Sequence, residues 1–287
     1  LFKPSKATAC WLKERREEFI IIRDQVRKTA SPIADTMREK VAPSDWLRAA
    51  FSRVRALVKD VAELREMIRR CSPGKTGGPT GITREHLLYM PDDVLELFLP
   101  LVNDIILGRA SDGFKMGVIT PLIKDQYRYR PVTLLEVVWK ATMTRISDRL
   151  LDVYHDCELL ENSQYAFVRG GSTAAPLEVA NAVVEKSSGD SGESTYLVFL
   201  DATSAYDTVP LWSLDVAFRR LGAPEEFIDW IRSATEGHRR MVSVCGGISE
   251  DDFEVEGLPQ GDPQSPAIWL VIADMALSHG RKTQDEG

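Results

Sequence analysis

One short segment of the sequence has the residue types and spacing that metal-assisted phosphoryl transfer needs. The apolar residues 196–200 predict a buried strand, Asp201 ends it, and the aromatic Tyr206 follows five residues later. A carboxylate at a strand end is a rigid, hard oxygen ligand of the kind that Mg²⁺ prefers. An Asp in this place can instead cap a helix. Because Asp207 is better placed to cap the helix predicted after Pro210, we interpret Asp201 as a candidate metal ligand.

A second segment, residues 257–266, has a constrained backbone that contains two glycines and three prolines in ten residues. Gly257 and Gly261 predict that a ligand can approach the main chain closely. The helix predicted to begin near Ser265 would direct its N-terminal amide groups toward the same space. The alternative is a plain loop between a hairpin and a helix, a role in which such a constrained run is less common.

The loop at residues 72–79 contains Gly74, Lys75 and Thr76, which resemble part of a phosphate-binding loop. That motif requires a glycine five residues before Gly74 and a strand ahead of it. Arg69 occupies the glycine position, and the preceding residues predict a helix. We therefore exclude a nucleoside-triphosphatase motif here.

The charge of the chain is unevenly distributed. Its net charge is −7, but the first 75 residues carry 18 basic and 10 acidic side chains, whereas the rest carry 18 and 33. A basic first quarter could contact a phosphate backbone, and solvated helix faces would give the same pattern, so both interpretations stay open.

The sequence predicts neither a membrane partner nor a cysteine-based site. No apolar run approaches the roughly 18 residues that cross a bilayer. No CxxC pair occurs among the four cysteines, which are Cys10, Cys71, Cys157 and Cys245. We therefore expect reduced thiols in an intracellular protein of the nucleus or the cytoplasm.

Hydrophobic periodicity predicts helices and short strands without a regular alternation or an internal repeat. The predicted helices are residues 11–29, 44–70, 83–89, 92–107, 136–151, 211–221, a segment from 224 onward, and 267–278. The predicted strands are residues 118–124, 131–135, 196–200, 241–244 and 253–255. This pattern is typical of an α+β domain with a mixed or antiparallel sheet.

Five motifs in a fixed order carry a resemblance to a known family. They lie at residues 78–82, 121–135, 164–173, 199–209 and 257–266. Over residues 72–278 the chain resembles the reverse transcriptases of non-LTR (LINE-type) retrotransposons, although Thr80 replaces the usual Asp of the first motif. The string Tyr-Arg-Pro-Val-Thr-Leu-Leu at residues 129–135 argues against transcriptases of the group II intron or telomerase type.

The resemblance implies a role for each matching residue. Asp201 would be the catalytic, metal-binding carboxylate of the first palm motif, and the ring of Tyr206 would exclude ribonucleotides by clashing with a 2′-hydroxyl. The residues implied to bind the incoming nucleotide are Lys124, Arg130, Ala202, Tyr206, Gln260 and Gly261. Template contacts are implied for Arg169, Ser172 and Thr173, although Ser172 and Thr173 could instead cap a helix.

The resemblance also implies a partial right-hand polymerase. A helical, basic N-terminal arm would occupy residues 1–70, the fingers residues 71–195, and an incomplete palm residues 196–287. The partners would be an RNA template, a DNA primer and deoxynucleoside triphosphates. The cofactor would be Mg²⁺ or Mn²⁺, expected only for a complete palm.

One departure from the family limits this interpretation. The third palm motif, an aromatic residue followed by any residue and two Asp, does not occur after Pro266. Asp201 alone cannot hold two metal ions about 4 Å apart. We therefore expect a reverse transcriptase fragment that is inactive as an isolated chain, unless another carboxylate such as Asp274 supplies a second ligand. The alternative is a catalytically dead, nucleic-acid-binding remnant of a mobile element.

Overall fold

The computed structural model describes residues 44–124, 129–187, 196–202, 204–244 and 247–285. The helix predicted at residues 11–29 lies outside the described residues. So does the rest of the predicted basic arm before residue 44. The described residues form an α+β fold, which confirms the predicted class.

Helices account for most of the described residues. The helices are α1 (Asp45–Val54), α2 (Val61–Arg70), α3 (Arg84–Leu88), α4 (Asp92–Glu96), α5 (Leu99–Ile106), α6 (Asp112–Lys115), α7 (Val137–Asp156), α8 (Ala174–Ser187), α9 (Trp212–Arg220), α10 (Glu225–Thr235) and α11 (Ser265–Asp285). The strands are β1 (Met116–Ile123), β2 (Tyr129–Leu135), β3 (Arg239–Val244), β4 (Gly247–Ile248) and β5 (Phe253–Glu254).

The strands form one mixed sheet in the order β2-β1-β3-β4, and β5 also pairs with β3. β1 is antiparallel to β2, with Gly117 opposite Leu135. β1 is parallel to β3, with Gly117 opposite Arg240. The sheet therefore joins the hairpin at residues 116–135 to the hairpin that precedes α11, and this mixed pairing confirms the predicted sheet type.

The long helix α7 is the centre of the hydrophobic core. Its buried side chains Trp139, Met143, Ile146 and Leu150 recur every three or four residues, so they share one face. This helix packs against α1, α2, α5 and α11. Each fully buried large apolar side chain contributes about 1.5–3 kcal/mol, so the buried face of α7 stabilises its packing against these four helices.

The single helix predicted at residues 44–70 is wrong. The chain leaves the helix after α1, and Asp60 caps α2 by accepting a hydrogen bond from Glu63 N at 2.8 Å. Between the two helices, Arg145 of α7 donates to Ala56 O at 2.7 Å, and Asn103 bonds both main-chain polar groups of Val58. These tertiary hydrogen bonds satisfy the main chain where helical hydrogen bonds would otherwise be needed.

The helix predicted at residues 92–107 is also divided, into α4 and α5. Pro100 lies in the first turn of α5, where the missing proline N–H costs no helical hydrogen bond. The same residue in the middle of one continuous helix would remove a bond and clash with the preceding turn.

The buried strand predicted at residues 196–200 is wrong as well. These residues have no regular secondary structure, and their five side chains are 46–92% exposed. A strand needs hydrogen bonds to a neighbouring strand, and none of the described residues pairs with this segment. The preceding helix α8, which was not predicted, likewise has no buried side chain.

Among the described residues, Cys71 and Cys157 are free thiols. The other two cysteines, Cys10 and Cys245, lie outside the residues whose side chains the structure describes. Within the described ranges, no helix is both long enough and apolar enough to cross a bilayer.

Candidate active site

Three segments that are distant in sequence meet at the loop before α11. The Leu258 N–H donates to Tyr206 O at 2.8 Å, and the Thr133 N–H of β2 donates to Gln260 O at 2.7 Å. The side-chain Nε2 of Gln260 donates to Asp207 Oδ2 at 2.7 Å. The structure therefore brings together two of the predicted nucleotide-binding residues, Tyr206 and Gln260, on one surface of the sheet and the loop.

The two glycines of this loop are required by contacts within the chain. Gly257 has φ +84°, and a Cβ there would lie 2.5 Å from Asp207 O. Gly261 has φ +116°, and a Cβ there would lie 2.5 Å from Thr133 O. The atoms that fill the position of a Cβ at both glycines are carbonyl oxygens of the protein itself, and the approach of a ligand to their main chain stays a prediction.

Asp207 does not cap the helix that follows it. Leu211 is the N-cap residue of α9, whereas the carboxylate of Asp207 turns to Gln260. Burial raises the pKa of Asp207 from 3.8 to about 6, although the hydrogen bond from Gln260 opposes that shift. The carboxylate thus links the segment after Asp201 to the loop before α11. Because it is buried, its negatively charged form is energetically unfavourable.

Replacing Asp207 by Asn should stabilise the protein at alkaline pH relative to wild type. The folded-state pKa of Asp207 is above its unfolded value, so the folded protein holds this proton more tightly than the unfolded chain does. The resulting contribution of Asp207 to the free energy of unfolding is fully present below about pH 4 and is lost as the pH rises through about 6. Asn keeps an acceptor for Gln260 and carries no charge. We expect the difference in Tm between Asp207→Asn and wild type to rise from pH 4 to 7 and then to level off.

The matched control is Asp251→Asn, because Asp251 is exposed. Its difference in Tm from wild type should stay flat over the same pH range. A flat profile for Asp207→Asn as well would show that the carboxylate of Asp207 is solvated in the folded protein.

The ring of Tyr206 is half-buried and packs against Trp269 of α11. The two ring centroids are 6.2 Å apart in an edge-to-face arrangement, which is within the preferred range for aromatic pairs. Burial raises the pKa of the Tyr206 hydroxyl. The ring is therefore held in a fixed position beside the loop.

The two cationic residues predicted to meet a triphosphate lie beside Ile123 and Tyr129, the last pair in the ladder of β1 and β2. Arg130 is opposite Leu122 in the register, Lys124 directly follows β1, and both cations are exposed. Thr133, which anchors the loop, is three residues from Arg130 along β2, a distance of about 10 Å. Arg130 and the loop are thus fixed to the same strand.

The remaining predicted site residues are not brought to this surface by any described contact. Asp201 and Ala202 are exposed, and Asp201 has no hydrogen bond or ion pair to a described residue. Arg169 is paired with Asp152 of α7 at 3.3 Å. Ser172 and Thr173 are exposed, directly before α8.

The described residues do not assemble a complete metal site. They contain no group of three or more His, Cys, Asp or Glu side chains that could hold a metal ion. Asp274, the other carboxylate considered above, is fully buried and paired with Arg220 at 2.7 Å. Asp201 is therefore a single exposed carboxylate, which does not suffice for a two-metal centre.

A buried polar network fixes the end of the loop and was not predicted. Asp262 accepts hydrogen bonds from Trp139 Nε1 at 2.9 Å and from Gln264 N at 3.1 Å. Burial raises the pKa of Asp262, and these hydrogen bonds together with the charge of Arg240 oppose the shift. The guanidinium of Arg240 is itself buried and donates to Lys115 O at 2.8 Å. Nothing in the local sequence pattern indicated that these distant residues would meet.

Thr80, the residue that departs from the family pattern, has a partner at the start of α7. Its N–H and hydroxyl donate to the two carboxylate oxygens of Glu136 at 2.8 and 2.7 Å. An Asp in place of Thr80 would put a second carboxylate against Glu136, where like charges repel. Thr80 in place of Asp is therefore compatible with the two hydrogen bonds to Glu136 that hold the loop at residues 77–82.

The family of the chain is decided by its match to a sequence profile. The profile described as "Reverse transcriptase (RNA-dependent DNA polymerase)" matches residues 123–284, which is more than half of the chain and includes both β2 and the loop before α11. The chain belongs to the reverse transcriptase family. This reverse transcriptase domain carries the strands β2 and β3 and the helix α11 that position the candidate site.

Curated relatives narrow the type of reverse transcriptase to that of non-LTR retrotransposons. The chain is 24% identical over 214 residues to the Pol polyprotein of the type-2 retrotransposable element R2DM of Drosophila melanogaster. It is 26% identical over 220 residues to a probable RNA-directed DNA polymerase from transposon BS of the same species, and 25% identical over 222 residues to that of mobile element jockey of Drosophila funebris. These alignments cover 72–74% of the chain but only 20–24% of each relative.

Proposed function

We propose that this chain is the part of a retrotransposon polymerase that selects a deoxynucleotide and adds it to a primer on an RNA template. The observation that carries the proposal is the meeting of Tyr206, Gln260 and β2 at the loop before α11. These residues match family motifs that are far apart in sequence, and they lie together in the folded chain. Two of the relatives are described as RNA-directed DNA polymerases of mobile elements.

In this proposal the residues of the chain position the nucleotide. The guanidinium of Arg130 and the ammonium group of Lys124 bind the triphosphate, for which exposed cations at a hairpin end are suited. Gln260 and Gly261 form the floor beneath the base, and the main chain at Ala202 lies beside the sugar. Arg169, Ser172 and Thr173 contact the template backbone.

Asp201 would supply one oxygen ligand to a divalent cation, Mg²⁺ or Mn²⁺. When bound, such a cation supplies electrostatic stabilisation of the charge that develops in phosphoryl transfer. Among the described residues, no group of three or more His, Cys, Asp or Glu side chains completes such a site. We further propose the arrangement of a right-hand polymerase, with an arm in residues 1–70, fingers in residues 71–195 and palm in residues 196–287.

The proposed function is tested by primer extension with the protein that carries this chain. Templated extension of a DNA primer on RNA with deoxynucleotides would support it. Binding of RNA and primer without any extension would support the alternative, a nucleic-acid-binding remnant of a mobile element.

Replacing Tyr206 by Ala should weaken the discrimination between deoxynucleotides and ribonucleotides. The ring, fixed against Trp269, is proposed to occupy the space that a 2′-hydroxyl would need. Steric selection of this size is worth about 10- to 100-fold in the ratio of kcat/KM values. The measurement is single-nucleotide extension with a deoxynucleotide and with the matching ribonucleotide.

Tyr206→Phe is the matched control, because it keeps the ring and removes only the hydroxyl. Its ratio of kcat/KM for the deoxynucleotide to kcat/KM for the ribonucleotide should stay within about threefold of the wild-type ratio. A tenfold change in this ratio would correspond to roughly 1.4 kcal/mol. Equal discrimination by Tyr206→Ala and Tyr206→Phe would show that the ring serves only the packing of α11.

A further inference from the structure

A basic pocket lies beside the C-terminal end of α2. We use "basic pocket" for the cavity of about 320 Å³ lined by the cations Arg70, Lys75, Arg84 and Lys140 together with Cys71, Ser72, Thr76, Val137, Thr144 and Pro263. Among the described residues, no Asp or Glu side chain lines it. The cavity is bounded by the loop at residues 72–79, whose sequence resembles part of a phosphate loop.

Two of the four cations are already engaged by the protein. Arg70 pairs with Asp148 at 3.2 Å, and Arg84 pairs with Glu85 at 3.4 Å. For Lys75 and Lys140, no carboxylate among the described residues lies within ion-pair distance. The pocket thus contains two lysines that form no direct ion pair with a described carboxylate, although Glu136 and Asp262 act on Lys140 from a greater distance.

The charge of Lys140 is held in an unfavourable place. Its side chain is half-buried in α7, and burial is the main cause of its lowered pKa. Cys71, Glu136 and Asp262 oppose this shift, whereas the charge of Lys75 adds a smaller effect in the same direction as burial. Burial raises the pKa of the neighbouring Cys71 thiol, so this group stays neutral near pH 7. An anion in the pocket would relieve the repulsion between the two lysines.

The pocket also contains neutral and charged hydrogen-bond donors. The hydroxyls of Ser72 and Thr76 line it, and the Nε–H of Arg84 is buried without a hydrogen-bond partner among the described residues. Cations combined with hydroxyl donors are the groups that bind phosphate oxygens in nucleic-acid complexes.

The position of the pocket favours a nucleic-acid strand over a free nucleoside triphosphate. A phosphate loop for nucleotides requires a preceding strand, whereas α2 precedes this loop. Pro263, which lines the pocket, is only three residues from Gln260 at the candidate active site. The basic pocket and the candidate active site thus both border the loop before α11.

We propose that the basic pocket binds a backbone phosphate of the nucleic-acid strand that this polymerase domain holds, with Lys75 and Lys140 as its principal contacts. The ligand chemistry is a phosphodiester, which either an RNA template or a DNA primer can supply. The proposal rests on the proposed function, because it assigns the pocket to the substrate of the same polymerase.

The test is equilibrium binding of a fluorescently labelled single strand of about 20 nucleotides, once as RNA and once as DNA, over a series of salt concentrations. The variants are Lys75→Gln, Lys140→Gln and the double variant. The control is Lys59→Gln, since Lys59 is exposed at the opposite end of α2, about 15 Å away. Lys75 lies on an exposed loop, so Lys75→Gln tests the pocket even if Lys140→Gln fails to fold.

We expect Lys75→Gln to weaken binding roughly 3- to 10-fold and the double variant to weaken it further. The slope of log K against log salt should fall by about 0.7 for each phosphate that the variant no longer neutralises. Lys59→Gln should match wild type. Weaker binding of RNA only would assign the pocket to the template, and weaker binding of DNA only would assign it to the primer.

Two results would overturn the proposal. If wild type binds both strands and the pocket variants keep the affinity and the salt slope of Lys59→Gln, the pocket has no role although the proposed function stands. If wild type binds neither strand at any salt concentration, the pocket and the proposed function both fail.

Discussion

Replacing Asp274 by Ala is expected to lower the free energy of unfolding by about 3–5 kcal/mol, because it removes one partner of a buried ion pair. Asp274 is fully buried on α11, and its carboxylate pairs with Arg220 of α9 at 2.7 Å. Its other oxygen accepts the N–H of Glu161 at 2.7 Å. The side chain of Arg220 also donates to Ser278, which in turn donates to Glu161 at 2.9 Å.

The cost arises from the groups that Ala would leave behind. Without the carboxylate, the guanidinium of Arg220 would be left largely buried with only the Ser278 hydroxyl, and the Glu161 N–H would lose its acceptor. Each buried polar group without a partner costs about 1–3 kcal/mol, and more when it is charged. The measurement is denaturant unfolding of the purified protein, read as the change in midpoint at constant slope.

The matched control is Asp229→Ala, which breaks the exposed pair of Asp229 with Arg232 at 2.9 Å. Exposed pairs of this kind are worth about 0–1 kcal/mol. If Asp274→Ala costs no more than Asp229→Ala, the network that joins α9, α11 and Glu161 does not hold these elements together.

Local sequence patterns were sufficient to predict most elements near the candidate site. The apolar runs at residues 118–124 and 131–135 predicted the two strands of the hairpin, and constrained residues at 257–266 predicted the loop before α11. The apolar period after residue 136 predicted α7, since its buried face is continuous along the helix. Short apolar runs and a period of about 3.6 residues are readable from the chain alone.

The break between α1 and α2 could not be read in the same way. The apolar face of residues 47–68 is compatible with one helix. The helix is interrupted where Arg145 and Asn103, which belong to other helices, donate hydrogen bonds to the main chain. Hydrogen bonds from residues 45 and 89 positions away leave no local signal. Tertiary contacts of this kind override a helical pattern.

Residues 196–200 show the opposite case, in which a strong strand pattern has no strand. Five consecutive apolar or aromatic residues favour a buried strand, but a strand exists only when a neighbour pairs with it. The pattern therefore indicated a preference of this segment for β-strand conformation. None of the described residues pairs with it, so no strand forms.

The contacts of the site were less predictable than the identity of its residues. The motifs indicated Tyr206, Gln260 and Gly261, and the structure gathers them. The partner of Gln260 is Asp207, which local pattern had assigned to a helix cap. A side-chain hydrogen bond between residues 53 positions apart depends on the path of the chain through the sheet, which no motif specifies.

Replacing Asp201 by Asn is the change with the largest expected effect on activity. Phosphoryl transfer is catalysed mainly by positioning and electrostatics, and removal of a single such group lowers the rate by about 10²–10³-fold. Asp201 is exposed and outside the sheet, and it has no partner among the described residues, so Asn should leave the stability of the fold unchanged. In this respect Asp201 and Asp274 should behave oppositely, because only Asp274 is buried.

The control is Asp251→Asn, which removes another exposed carboxylate that no predicted role involves. Its extension rate should remain close to that of wild type. Unfolding temperature and RNA affinity, measured for both variants, separate a loss of activity from a loss of fold or of template binding.

The most direct measurement is single-turnover extension of a DNA primer on an RNA template by the protein that carries this chain, with wild type, Asp201→Asn and Asp251→Asn compared at saturating deoxynucleotide and Mg²⁺. We expect wild type and Asp251→Asn to extend the primer at similar rates, and Asp201→Asn to be slower by at least about 100-fold with unchanged RNA affinity. Extension by Asp201→Asn at the rate of Asp251→Asn would contradict the assignment of Asp201 as the catalytic carboxylate.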